Sequence, residues 1–111
     1  MIQSLTSAIG ALQVQSERLN IHAHNIANLN TPGFQAQIPA QQTAIAGGVQ
    51  LSAVTTSKTP GTPIDSEKPT ETNNVDLIAE TVGTITALRA FEASAKVIKT
   101  SDEMLKIITK I

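Results

Sequence analysis

Apolar residues recur at both ends of this chain in alternating steps of three and four, and in its middle in steps of two. The C-terminal run is the longer: residues 75–111 hold no proline and a single glycine, Gly83. One stripe reads Leu88, Phe91, Ala95, Ile98 and Leu105, interrupted by Asp102. A second, beside it, reads Val97, Met104, Ile108 and Ile111, with Ser94 and Ser101 as small members. This is the repeat of a helix with a seam along one side. Two adjacent stripes make a face wider than one partner helix covers. An isolated helix would leave Val97, Ile98, Met104, Leu105, Ile107, Ile108 and Ile111 partly in water, so the pattern predicts a helix packed by several neighbours. Ala87, Ala90, Ala93 and Ala95 keep its surface low enough for those neighbours to approach closely.

At the N-terminus the series Ile2, Leu5, Ile9, Leu12, Ser16, Leu19, Ala23, Ile26 is an unbroken heptad seam. It predicts a helix roughly 40 Å long. Gly10 within it costs about 1 kcal/mol relative to alanine, so this helix also needs a partner. It must stop near residues 28–30, because Thr31 precedes Pro32 and is pushed out of helical geometry. Pro32-Gly33 is a turn pair, and Phe34 is placed to anchor that turn against the helix.

The period then changes. Phe34, Ala36 and Ile38 alternate with Gln35 and Gln37, and Val49, Leu51 and Ala53 alternate with Gln50 and Ser52. Strand spacing on either side of Gly47-Gly48 predicts a β-hairpin, with Pro39 confining its first strand to an edge. Such a hairpin is marginal alone in water and should lean on a helix or a neighbouring subunit. Residues 58–72, rich in proline, threonine and charge, read as an extended linker. Asn73 and Asn74 are candidate N-caps of the second helix, and Asp76 and Glu80 place negative charge in its first turns. Lys106 and Lys110 place positive charge in its last. Glu92–Lys96 and Asp102–Lys106 are spaced as i,i+4 ion pairs.

Composition narrows the function. The chain of 111 residues is one domain or less, and its 41% hydrophobic content includes only two Phe and no Tyr or Trp. Contacts between helices through aliphatic and alanine side chains are therefore expected. With no cysteine there is no disulfide framework or thiol chemistry. A net charge of −1 argues against a nucleic-acid surface. No window reaches the ~18–20 apolar residues of a membrane span, and no cleaved signal peptide is expected. The charges are unevenly placed: among the first 57 residues only Glu17 and Arg18 are charged. A first half covered by Gln, Ser, Asn and Thr suggests a surface intended for other protein.

The chemistry-bearing candidates are few. His22-x-His24 is the one metal-like pair, but on a helix residues two apart diverge by about 200° and cannot share an ion. No paired carboxylates, phosphate loop, G-x-S-x-G or H-E-x-x-H suggests catalysis. Neither an enzyme, a cofactor nor a metal is expected.

Two stretches resemble a known family. Ala23-His24-Asn25-Ile26-Ala27-Asn28-Leu29-Asn30-Thr31-Pro32-Gly33-Phe34 resembles the N-terminal signature of bacterial flagellar axial proteins, the rod, hook and hook-associated family. Asn74-Val75-Asp76-Leu77, then Glu80, Arg89-Ala90-Phe91-Glu92-Ala93 and Lys96-Val97-Ile98-Lys99-Thr100, resembles that family's C-terminal signature. The short middle makes the chain most similar to the small proximal-rod proteins of the C-type. It departs from the pattern at His22 and His24, where small or amide residues are usual, and its middle is short even for small rod proteins.

The resemblance implies that the N- and C-terminal helices pair as a coiled coil; with the short β-hairpin and extended linker read from the middle segment, the expected fold is mainly α, an antiparallel helical hairpin with those two elements between its arms. It implies residues 1–30 and 73–111 as the two rod helices and 31–72 as the intervening segment, together one axial domain. It implies a structural subunit of the basal-body rod that polymerises into a torque-transmitting tube. Expected partners are further copies, other rod and hook proteins and the flagellar type III export apparatus, with no nucleic acid and no membrane insertion.

On this reading Leu5, Ile9, Leu12, Leu19 and Ile26 bury against Leu88, Phe91, Ile98 and Leu105 within the chain, while Val97, Met104 and Ile108 face adjacent subunits. Asn25 and Asn28 share a helix face near its end, where free carbonyls need donors, Asn30 can bond its own backbone, and Gly33 supplies backbone freedom. These residues either build the turn or touch a neighbour. Asn74 and Asp76 read as caps, and Val75 and Leu77 as the start of the seam. The rival reading is a freestanding two-helix adaptor or chaperone-like binder of axial proteins, monodisperse at high concentration. A membrane-surface helix is a weaker rival, because acids mix with lysines on the polar face.

Overall fold

The computed structural model describes residues 2–65 and 71–111. Residues 66–70 of the expected linker lie outside the described residues. Helix α1 spans Ile2–Ala27, strand β1 Gln37–Thr43, strand β2 Val49–Thr56 and helix α2 Leu77–Thr109. The two helices pack antiparallel: the C-terminal turns of α1 meet the first turns of α2 through His22, Asn25 and Glu80. At the far end Ser4 shares a groove with Ser101 and Met104. The result is a slender body of 76 × 24 × 14 Å.

The helix α1 ends where the turn chemistry dictates. Asn28 Nδ2 donates to the His24 carbonyl at 2.9 Å, and Asn28 Oδ1 accepts from Thr31 Oγ1 at 3.1 Å. Gly33 takes φ +73°, a conformation costly for any residue with a Cβ. Phe34 then packs edge-on against His24, ring centroids 5.5 Å apart.

β1 and β2 form an antiparallel two-stranded sheet, irregular between Ala40 and Gln41. Gly47 and Gly48 turn it at φ +89° and +83°. The hairpin lies back along α1, from Asn25 at its base to Gln3 at its tip, where Gln3 Nε2 donates to Ala46 O at 3.5 Å. Gly10 passes beneath β2, and a Cβ added there would meet only Val49 O, at 3.6 Å, an ordinary contact. Gly10→Ala should therefore raise stability by about 0.5–1 kcal/mol. A urea midpoint that falls would show that the hairpin sits closer to α1 than this.

The cap of α2 corrects one expectation. Asp76 is the N-cap: its carboxylate accepts from Ile78 N at 3.0 Å and Ala79 N at 3.3 Å. Asn73 and Asn74 lie upstream and serve the connection instead. Asn73 Nδ2 donates to the Leu29 carbonyl, and its Oδ1 accepts from Val75 N at 3.0 Å. On the surface of α2, Asp102 pairs with Lys106 at 2.6 Å as expected. That hydrogen bond, reinforced by the carboxylate's charge, raises the lysine's pKa above its ordinary value. Glu92, by contrast, pairs with Arg89 at 3.0 Å rather than with Lys96.

Which residues lie between the helices also differs from the expected seam. Buried on α1 are Ala8, Val14, Gln15, Ile21, His22 and Asn25; on α2 they are Glu80, Ala87 and Ser101. Leu5, Leu12, Leu19, Phe91, Ile98 and Leu105 are half-buried, while Ile9, Ile26 and Leu88 are exposed. Leu77, expected to open the seam, is also exposed. The physical reason is size. Ala8, Ala87 and Ser101 allow backbones to approach closely, so the small residues take the axis of contact and the large aliphatics flank it.

Candidate functional site: an exposed apolar face and a buried polar base

Two regions stand out, one outside and one inside. Along α2 the large residues of the second stripe face outward, Val97, Met104 and Ile108 being 46%, 42% and 56% exposed, with Ile107 beside them at 63%, while the small Ser101 of that stripe is buried. Ser4, Ala93, Val97, Ser101 and Met104 line an apolar groove between the N-terminal turns of α1 and the second half of α2. A second exposed row, Ile78, Val82, Ile85 and Leu88, runs along the first half of α2. Isolated surface leucines need no explanation, but rows of this length on a slender body mark surface for contact. Among the described residues no group of three or more His, Asp or Glu converges to hold a metal ion. No described helix is long and apolar enough to cross a membrane.

Inside, the signature residues gather at the base of the hairpin. Asn25 is fully buried. Its Oδ1 accepts from Gln37 N at 2.9 Å, and its Nδ2 donates to Gln37 O at 2.8 Å and to Glu80 Oε1 at 3.0 Å. The amide thus stands in for a neighbouring strand at the first residue of β1. This corrects the expectation that Asn25 joins Asn28 in serving free helix-end carbonyls; Asn28 alone does so.

Asn74 performs a matching task from the other side. Its Oδ1 accepts from Ala36 N at 2.6 Å, and its Nδ2 donates to Ser57 O at 3.0 Å and Thr59 O at 2.8 Å. The two asparagines hold both strands of a hairpin that would otherwise be marginal. Asn30, in contrast, is exposed.

Glu80, read from sequence only as favourable charge near a helix N-terminus, is the buried centre of this base. Its second oxygen accepts from His22 Nδ1 at 2.6 Å. The ring of His22 lies on Gly83, where an added Cβ would come within 2.5 Å of Cε1 and 2.6 Å of Nε2. Sequence reasoning missed this cluster. The available signal was a carboxylate and a glycine, Glu80 and Gly83, three apart on α2, and two polar residues, His22 and Asn25, three apart on α1.

The comparisons with known proteins settle the family. Residues 5–35 match the family described as flagella basal body rod protein, and residues 70–111 match the flagellar basal body rod FlgEFG protein C-terminal family. The chain is 34% identical to the flagellar basal-body rod protein FlgC of Escherichia coli O157:H7 over 119 aligned positions, covering 89% of each chain. It belongs to the flagellar basal-body rod protein family.

The FlgC of Salmonella typhimurium is 33% identical over the same share of both chains. The FlgG of Caulobacter vibrioides is 37% identical over 70 residues, 63% of this chain and 26% of that protein. The similarity to FlgC runs through most of the chain, whereas that to FlgG is partial, in keeping with the resemblance to the small C-type rod proteins. The first of the matched segments ends just past Phe34 and the second begins before Asn73. The two segments therefore meet at the hairpin base just described.

Proposed function

We propose that the chain is a structural subunit of the flagellar basal-body rod that polymerises through its paired terminal helices, with other rod proteins above or below it. The observation that supports this most is the surplus apolar face. Once α1 and the hairpin have packed, α2 still exposes Val97, Met104, Ile107 and Ile108 along one side, which a solitary molecule has no means of covering. The nearly uncharged surface of the first half suits burial against protein, because few charges need to be desolvated there. Antiparallel pairing makes the subunit a stiff strut, and stacking such struts about an axis gives a wall able to carry torque. On this reading the chain reaches the rod through the flagellar export apparatus without a cleaved signal peptide.

The test is concentration dependence. Helix ends that lean on neighbours should fray in the dilute monomer, so ellipticity at 222 nm per residue should rise as sedimenting polymer forms. A monomer that shows its full helical signal at micromolar concentration, and stays monomeric at high concentration, would overturn the reading.

A further inference from the structure

The contact between α1 and α2 repeats itself. Ala87, Ser94 and Ser101 lie seven apart on α2; Ala8, Gln15 and His22 lie seven apart on α1, as do Val14 and Ile21. A slide of one heptad, about 10 Å along the axis, would again set small α2 residues from the row Ala87, Ser94 and Ser101 against Ala8 and Gln15, with Val14 and Ile21 beside them. The apolar seam is therefore nearly indifferent to register. The cluster of His22, Asn25, Glu80 and Gly83 is not.

Slid one way, the spacing would carry His22 from Gly83 to Ala90, where a methyl replaces bare backbone, and Glu80 past the end of α1 at Leu29. Slid the other way, Glu80 would face Gln15 and Arg18, and His22 would pass the start of α2 at Asp76. Either slide strips Asn25 and His22, both buried, of the carboxylate they now share. His22 Nε2 already has no hydrogen-bond partner among the described residues, so the ring depends on Nδ1 for its one polar contact. The ring also fits only where α2 presents no side chain, and Gly83 is the one glycine of that helix.

We infer that His22, Asn25 and Glu80, seated over Gly83, form a register latch. It fixes which turn of α2 lies against which turn of α1 and ties that choice to the first residue of β1. Buried polar groups that select register at the expense of raw stability are a known device in coiled coils. Here the device acts between the two arms of one chain, and it would hold whether or not the chain goes on to polymerise.

The experiment measures register directly. The chain has no cysteine, so cysteines at exposed Gln13 and Lys99 accept a pair of spin labels uniquely. Double electron–electron resonance should give one distance in the otherwise unaltered chain. His22→Leu with Glu80→Leu should keep the helical signal and add a second distance population, from a displacement of about 10 Å along the axis. A single unchanged distance in that variant would overturn the inference. Should that variant lose its helices, Gly83→Ala decides. It should add the second population while every polar group remains, and His22→Ala in the same chain should restore the single distance, since Asn25 still holds Glu80. Gly83→Ala with unaltered distances would overturn the inference.

Discussion

Asn25→Ala should destabilise the chain by about 2–4 kcal/mol, the largest effect expected of any residue in the two signature segments. The side chain is fully buried and meets three partner groups: the amide and carbonyl of Gln37 and one oxygen of Glu80. Truncation leaves these partners buried without a replacement, and each such group costs about 1–3 kcal/mol. Asn28→Ala is the control, because Asn28 lies nearer solvent and water can take over its bond to the His24 carbonyl; it should cost under about 1 kcal/mol. Urea unfolding followed by circular dichroism separates the two. Hydrogen exchange at the Gln37 amide should rise in Asn25→Ala before the helices melt. Equal costs for the two variants would mean that water enters the hairpin base and that the clamp contributes little.

Val97→Glu should abolish polymer formation while changing monomer stability by no more than about 0.5 kcal/mol. Ile98→Glu, one position away, should destabilise the monomer itself by about 1–3 kcal/mol. Val97 is 46% exposed on the outward stripe and lines the apolar groove, whereas Ile98 is half-buried against α1. A carboxylate at position 97 stays hydrated in the free chain and would lose that hydration only when a neighbour covers it. Pelleting assays and urea unfolding on the same preparations give both readings. If Val97→Glu unfolds the monomer as badly as Ile98→Glu, the assignment of inner and outer stripes is wrong.

Much of this architecture is legible in the sequence because it is local. Three-and-four spacing gives α1 and α2, Gly47-Gly48 between alternating segments gives the hairpin, and Asn-Leu-Asn-Thr-Pro-Gly gives the end of α1. What stays hidden depends on partners far apart in sequence. Glu80 meets Asn25 across 55 positions and His22 across 58, and Asn and Glu ordinarily belong at the surface. The choice of seam is hidden for a different reason. Hydropathy ranks Leu, Ile and Val first, whereas close helix approach is decided by Ala8, Ala87 and Ser101, which a search for apolar stripes underweights. The two asparagines before α2 look like caps by residue type alone, and only the path of the chain shows that Asp76 performs that task.

The bare stretch of backbone under His22 also constrains the order in which descendants of this chain can change. A lineage that shrinks residue 22 first leaves room above Gly83, and a side chain can appear there afterwards. A lineage that gains a side chain at 83 first meets the imidazole at 2.5 Å and passes through a damaged intermediate. Paralogues and orthologues should therefore show a bulky ring at 22 only beside glycine at 83, and a ring at 22 together with a side chain at 83 should be missing from any tree of these sequences.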